Sequence, residues 1–180
     1  MYANRSAVHL TQIGDARSVI RPLQPGDLYL IQRLNRQATR FHTVQTFLQS
    51  YSVTRSALGS AIPIGDGRAA TYVLRQDRHG LVHDGFLQVQ KRPGSPEADI
   101  VCLAPSLDAP TGHPATWTKL LSAYLHDAME QGVERIFVDV LDQPMYVNTF
   151  CNVGFQTYSR QTIWRLFAPP LESVAFQANT

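Results

Sequence analysis

Two hydrophobic periods alternate along the chain, and their order outlines a fold. SVIRP, from Ser18, reads as a short strand. A Pro-Gly turn follows, and Leu28, Leu30, Ile31 and Leu34 then recur at helical spacing behind Asp27, a residue suited to an N-cap. A second stripe, Val44, Phe47, Leu48 and Tyr51, predicts a helix over 43–52, whereas residues 53–69 break at Gly and Pro and read as loop. Period two takes over in the middle: TYVLRQ (71–76), LVHDGFLQVQKR (81–92) and DIVCLAPSL (99–107) are joined by short turns and predict three antiparallel strands. In the third, Asp99, Val101 and Leu103 are expected on one face, with Ile100, Cys102 and Ala104 on the other.

The longest helical stripe comes next. Trp117, Leu120, Leu121, Tyr124, Leu125 and Ala128 share one face between Pro114, suited to a first turn, and Gly132, suited to a stop. VERIFVDVLD (133–142) then reads as a buried strand, and because a helix leads into it, it should lie parallel to a neighbour. Gln143–Asn152 predicts a short helix with Pro144 in its first turn, and GFQTYSRQTIWRLF (154–167) a closing strand. The result is one mixed α/β domain over 18–167, with an N-terminal extension at 1–17 and a C-terminal tail at 168–180.

Composition narrows the class. A chain of 180 residues with 44% hydrophobic and 17% charged residues can bury a real core, which excludes a disordered tail or a disulfide-stapled miniprotein. Cys102 and Cys151 form no ligand cluster and read as reduced, buried thiols. No run of 18 apolar residues exists, and the first residues lack the apolar stretch of a signal peptide, so the expectation is a cytoplasmic protein with no membrane partner. The net charge of +2 hides a split, +7 over residues 1–95 and −5 over 96–180. That split fits a basic groove for an anionic ligand, a self-complementary homodimer, or plain solvated charge. The 14 Arg are scattered singly beside only 2 Lys, so a nucleic-acid partner is not expected.

Three stretches in order, VIRPLQPGDL, PEADIVCLAP and QPMYVNTFCNVGF, resemble the GCN5-related N-acetyltransferases (GNAT), and the resemblance spans roughly residues 18–167. It implies a mixed sheet of six to seven strands with four helices, splayed between the fourth and fifth strands. It further implies acetyl-CoA or another acyl-CoA as co-substrate, no metal, and acyl transfer to a small-molecule or protein amine. In such a fold the strand before the long helix pairs its backbone with the pantetheine arm, here at Cys102, Leu103 and Ala104. The helix N-terminus offers free N–H groups to the pyrophosphate, here from Thr111, Gly112, His113, Ala115 and Thr116.

The chain departs from the family twice. The loop signature (Gln/Arg)-x-x-Gly-x-(Gly/Ala) finds no register in DAPTGHPATWTKLL: Gly112 falls where Gln or Arg belongs, Ala115 at the first Gly and Trp117 at the final small position. The family's proton donor, a Tyr four residues before the Gly of Gly-Phe, would be residue 150, and that residue is Phe150. Phe150 is left as a lining residue. Tyr146, one turn earlier on the same face, is the candidate acid, with a core or rim tyrosine as the plain alternative. A thiol of pKa about 8.5 leaving at pH 7 forgoes roughly 2 kcal/mol without an acid, so its loss slows the reaction without forbidding it.

For the base, the resemblance leaves Asp99, Glu97 and Asp139 open; Asp99 is carried forward as the candidate, and a solvated carboxylate is the alternative for each. His79 and His83 lie four apart in a strand context, about 13 Å, too far for one metal ion. Neither cysteine has an adjacent His to activate it. Two functions follow: an acyl-CoA-dependent N-acyltransferase, or a catalytically degenerate GNAT-fold module that binds a ligand or dimerises.

Overall fold

A computed structural model describes residues 19–41, 69–75 and 83–162. Strand β1 (Val19–Pro22) leads through a 3-10 turn (Pro25–Asp27) into helix α1 (Leu28–Asn35) and a two-residue strand, β2 (Thr39–Arg40). Strands β3 (Ala69–Arg75), β4 (Gly85–Lys91) and β5 (Glu97–Ala104) follow, then helix α2 (Pro114–Glu130), strand β6 (Arg135–Phe137) and helix α3 (Pro144–Cys151). The sheet runs β1-β3-β4-β5 with antiparallel neighbours, and both β2 and β6 pair with the far edge of β5. β6 is parallel to β5, as its crossover through α2 requires, with Glu97 opposite Arg135 and Asp99 opposite Phe137.

The sheet carries an apolar layer on each face. On one, Trp117, Leu120, Leu121, Tyr124 and Ala128 of α2, with Tyr146 and Phe150 of α3, pack on Leu74, Leu87, Ile100 and Leu103. On the other, Leu30, Ile31 and Leu34 of α1 cover Val73, Phe86, Val101, Cys102 and Ala104. The stripes of α1 and α2 read from the sequence are therefore core faces. Among the described residues no helix is long and apolar enough to cross a membrane.

Several details differ from the sequence reading. The alternation in β5 breaks at a bulge: Gln88 pairs with Cys102 but Val89 with Ile100, leaving Val101 as the extra residue. Val101 consequently packs with Cys102 and Ala104 on the α1 side, and Leu103 with Ile100 on the α2 side. Asp27 makes no side-chain cap bond to α1. Its buried carboxylate accepts instead from Arg21, Arg75 and the Gln24 N–H, tying the 3-10 turn to β1 and β3. β6 is three residues long and half-buried rather than a long buried strand. Residues 155–162 form no strand, and Tyr158 is exposed, so no closing strand forms over that part. Cys102 is buried as expected, but Cys151, on the outward side of the last turn of α3, is exposed. The described residues hold three α-helices; the helix expected over 43–52 lies outside them, as do 163–167, the extension and the tail.

Candidate functional site

The parallel pairing is short. β5 and β6 run side by side only over Glu97–Asp99, while β5 continues to Ala104. Beyond Asp99 the edge of β5 is taken by β2, with Arg40 opposite Cys102 and Thr39 opposite Leu103. The Phe41 N–H donates to the Val101 carbonyl at 3.0 Å, and the Ser106 N–H donates to the Gln37 carbonyl at 2.5 Å. Side chains reinforce this docking. The Thr39 hydroxyl donates to Ser106 Oγ at 2.9 Å and the Thr111 hydroxyl to Gln37 Oε1 at 3.3 Å. The Phe41 ring is buried edge-on against Trp117 and Phe150, at centroid distances of 5.8 and 5.7 Å.

At the end of β5 the chain builds a polar cluster. Tyr146, 1% exposed, donates its hydroxyl to Asp108 Oδ2 at 2.5 Å and lies 3.2 Å from Ser106 Oγ. Trp117 fixes the same corner, because its indole N–H donates to the Pro105 carbonyl at 2.7 Å and its ring stands 5.6 Å from that of Tyr146. The cluster joins α3, the 105–108 turn and β2 through Thr39.

The N-terminus of α2 is largely satisfied from within. His113 is its N-cap, and Nδ1 accepts from the Ala115 N–H at 3.1 Å; the Thr116 N–H donates to the His113 carbonyl, and Pro114 has no N–H. Gly112 serves the packing of the preceding turn: a Cβ there would meet the Ser106 carbonyl oxygen at 2.0 Å. Thr116 is fully buried, its methyl directed at Gly85, and its hydroxyl has no partner among the described residues. Of the residues expected to face a pyrophosphate, Thr111 and His113 are exposed, Gly112 and Ala115 are half-buried, and Thr116 is core.

Asp99 sits elsewhere. Its buried carboxylate accepts from Nη2 and Nε of Arg92, at 2.7 and 2.8 Å, while Nη1 of Arg92 donates to Glu97 at 3.0 Å and the guanidinium lies 4.5 Å from the Phe137 ring centroid. The Asp99 hydrogen bond, with Glu97 adding to it, keeps the Arg92 guanidinium charged well above its ordinary value despite some desolvation. Asp99 lies near the start of β5 and the Tyr146 hydroxyl beside Ser106, past its other end; the five strand steps from Asp99 to Ala104 alone span roughly 16 Å. The two candidates for acid and base are therefore not brought together. Cys102, beside β2 on β5, is fully buried, and burial pushes its thiol up to about 12, so it offers little thiolate to a solvent-borne reagent. A separate open cleft beside α1 is lined by Gly26, Tyr29, Leu30, Arg33, Arg75 and Asp84, with its arginines paired to Asp84 and Asp27. It contains none of these groups.

Sequence reading missed Gln37, Thr39, Phe41, Ser106 and Asp108. Thr39 lies on a strand too short to show a period and Phe41 just after it, and Asp108 meets Tyr146 across 38 residues of chain. The sequence signal nearest to them is the Pro/Gly-rich connection DAPTGHP (108–114), which follows the strand predicted over 99–107.

The architecture is that of the GCN5-related N-acetyltransferases: a largely antiparallel sheet ending in one parallel pair, reached through a long crossover helix. Two solved structures share it. One is AAC(6')-Iy in complex with the bisubstrate analogue CoA-S-monomethyl-acetylneamine, 16% identical over 85% of this chain and 100% of its own, at a TM-score of 0.54. The other is an aminoglycoside acetyltransferase, meta-AAC0020, from an uncultured soil metagenomic sample in complex with sisomicin; it is 17% identical over 84% of this chain and 96% of its own, at a TM-score of 0.51. No protein-family model and no curated protein matches the sequence.

Proposed function

We propose that this protein is an acyl-CoA-dependent N-acyltransferase whose acceptor is an amine. The observation that carries the reading is the short parallel pairing of β5 with β6, which ends at Asp99 while β5 runs on to Ala104, in a sheet with the GNAT order. Support comes from the two neighbours, one solved with a CoA-containing bisubstrate analogue and the other with an aminoglycoside, which favours a small-molecule amine over a protein amine. An acyl-CoA would supply a thioester carbon for the amine to attack and a thiol as leaving group. Tyr146 is the candidate proton donor, because its buried hydroxyl is oriented by Asp108 and Ser106. Asp99 is poorly placed as base, being held by Arg92 at the opposite end of β5.

The present arrangement does not fit an acyl-CoA. The edge at Cys102–Ala104 is shared with β2, the Ala115 N–H is taken by His113, and the face of Phe150 is covered by Phe41. These same observations favour a second reading, a GNAT-fold module that binds without catalysing or that dimerises. Titration with acetyl-CoA, combined with thiol release over a panel of aminoglycosides and simple amines, separates the two. Saturable binding with amine-dependent thiol release supports the transferase. Binding without thiol release from any amine supports the module, and absence of binding up to millimolar acetyl-CoA sinks the acyl-CoA reading.

A further inference from the structure

We infer that the segment Gln37–Phe41 and the arm of an acyl-CoA compete for one edge of β5, so that the co-substrate enters only when β2 leaves. The inference rests on the acyl-CoA reading above. It starts from the accounting of backbone groups. A strand edge presents donors and acceptors that must be paired when buried. Along β5 past Asp99 they are met by β2, with the Val101 carbonyl and the Ser106 N–H engaged by Phe41 and Gln37. An extended arm carrying two amides, laid on that edge, needs the same groups.

The competition extends to side chains. Phe41 fills the space in front of Phe150 and Trp117, where the GNAT resemblance puts the departing sulfur. Thr39 occupies Ser106 Oγ, which also contacts Tyr146, and Gln37 holds Thr111 at the entrance to α2. One five-residue segment thus covers the backbone edge, the candidate acid's neighbour and the helix approach together. By contrast β2 pairs only Thr39 and Arg40 with β5, a ladder short enough to exchange without dismantling the sheet.

A reversible cross-link tests this. Arg40 stands directly opposite Cys102 in an antiparallel pair, a spacing within reach of a disulfide. Arg40→Cys in a Cys151→Ser background, which removes the exposed thiol, should lock β2 onto β5 when oxidised. Acetyl-CoA is the probe, since it has no free thiol to reopen the bond. The reduced variant should bind it at least tenfold more tightly than the oxidised one. Equal affinity in the two states overturns the competition and leaves the acyl-CoA reading standing; no binding in either the reduced variant or the wild type overturns both. Hydrogen exchange on the wild type supplies a second readout that needs no variant. Saturating acetyl-CoA should speed exchange of the Phe41 amide at least tenfold while leaving β3 and β4 amides unchanged, and an unchanged or slower Phe41 amide refutes the displacement.

Discussion

Replacing Gly112 by alanine separates packing from phosphate recognition at the most constrained point of the loop before α2. A Cβ there would stand 2.0 Å from the Ser106 carbonyl oxygen, 2.8 Å from that of Leu107 and 2.9 Å from that of Ala109. All three obstacles are backbone atoms, so no side chain can swing aside, and the 106–112 turn must open by about 1 Å to restore ordinary contact. Overpacking of this kind costs about 1–3 kcal/mol, and the rigid surroundings put Gly112→Ala at the upper end, about 3 kcal/mol. In a chain of this length each kcal/mol moves Tm by about 2–4 °C, so thermal unfolding followed by circular dichroism should show a drop of about 6–12 °C. The turn also carries Ser106, so the same substitution should loosen β2 and accelerate exchange of the Phe41 amide. A variant whose Tm stays within about 2 °C of wild type, with acetyl-CoA affinity alone lost, would mean that Gly112 is kept for ligand approach and that the packing argument is wrong.

Other substitutions probe the remaining parts of the structure. Asp27→Asn keeps an acceptor for Gln24 but removes the charge facing Arg21 and Arg75; since both guanidinia are partly exposed, the expected loss is about 2 kcal/mol by urea unfolding. Burial pushes the Asp27 carboxyl up, but the hydrogen bonds from Arg21 and Arg75 outweigh it and hold the group below 3.8; its stabilisation is therefore complete above about pH 4 and is lost as pH falls through the lower native value. The Asn variant should lack that part of the acid slope, and parallel pH profiles for the two proteins would contradict the assignment. If Tyr146 is the proton donor, Tyr146→Phe should lower kcat by about 10²-fold with KM little changed and cost about 1 kcal/mol in stability; an unaltered kcat removes it from the chemistry. A disulfide thiol reagent should label one cysteine of the native protein rapidly, Cys151, because Cys102 is buried with its thiol pushed up to about 12; comparable labelling of Cys102 would show that the covering of β5 opens freely.

What could be read from the chain followed the strength of its periods. The stripe from Trp117 to Ala128 placed α2 within a residue of its observed end, and the crossover logic placed β6 parallel to β5. Where tertiary contacts decide, pattern fell short. The bulge at Val101 shifts Leu103 to the opposite face from the one strict alternation predicts, and one extra residue leaves no mark in an all-apolar run. Asp27 had the right type and position for a cap, but two arginines, one 6 and one 48 residues away, made a better partner for its carboxylate than the helix N–H groups. Asp99, the candidate base in the sequence, is held by Arg92 across the β4–β5 turn, a pairing that no period along the chain marks.

The same limit hides from the sequence that the edge of β5 past Asp99 is covered. A two-residue strand has no period, yet it decides whether the Val101 carbonyl and the Ser106 N–H are available, and a histidine cap decides the same for the Ala115 N–H. Each of these three groups already has an internal partner, so a ligand that pairs with them exchanges bonds rather than forming new ones. At about 1 kcal/mol net for a hydrogen bond, the forfeited gain is about 3 kcal/mol, a factor of about 10² in Kd. Acetyl-CoA should therefore bind this chain about 10²-fold more weakly than one in which the segment 37–41 and the His113 cap are released. What affinity remains comes from contributions that self-pairing of backbone groups does not cancel, burial of the apolar stretch of the arm among them.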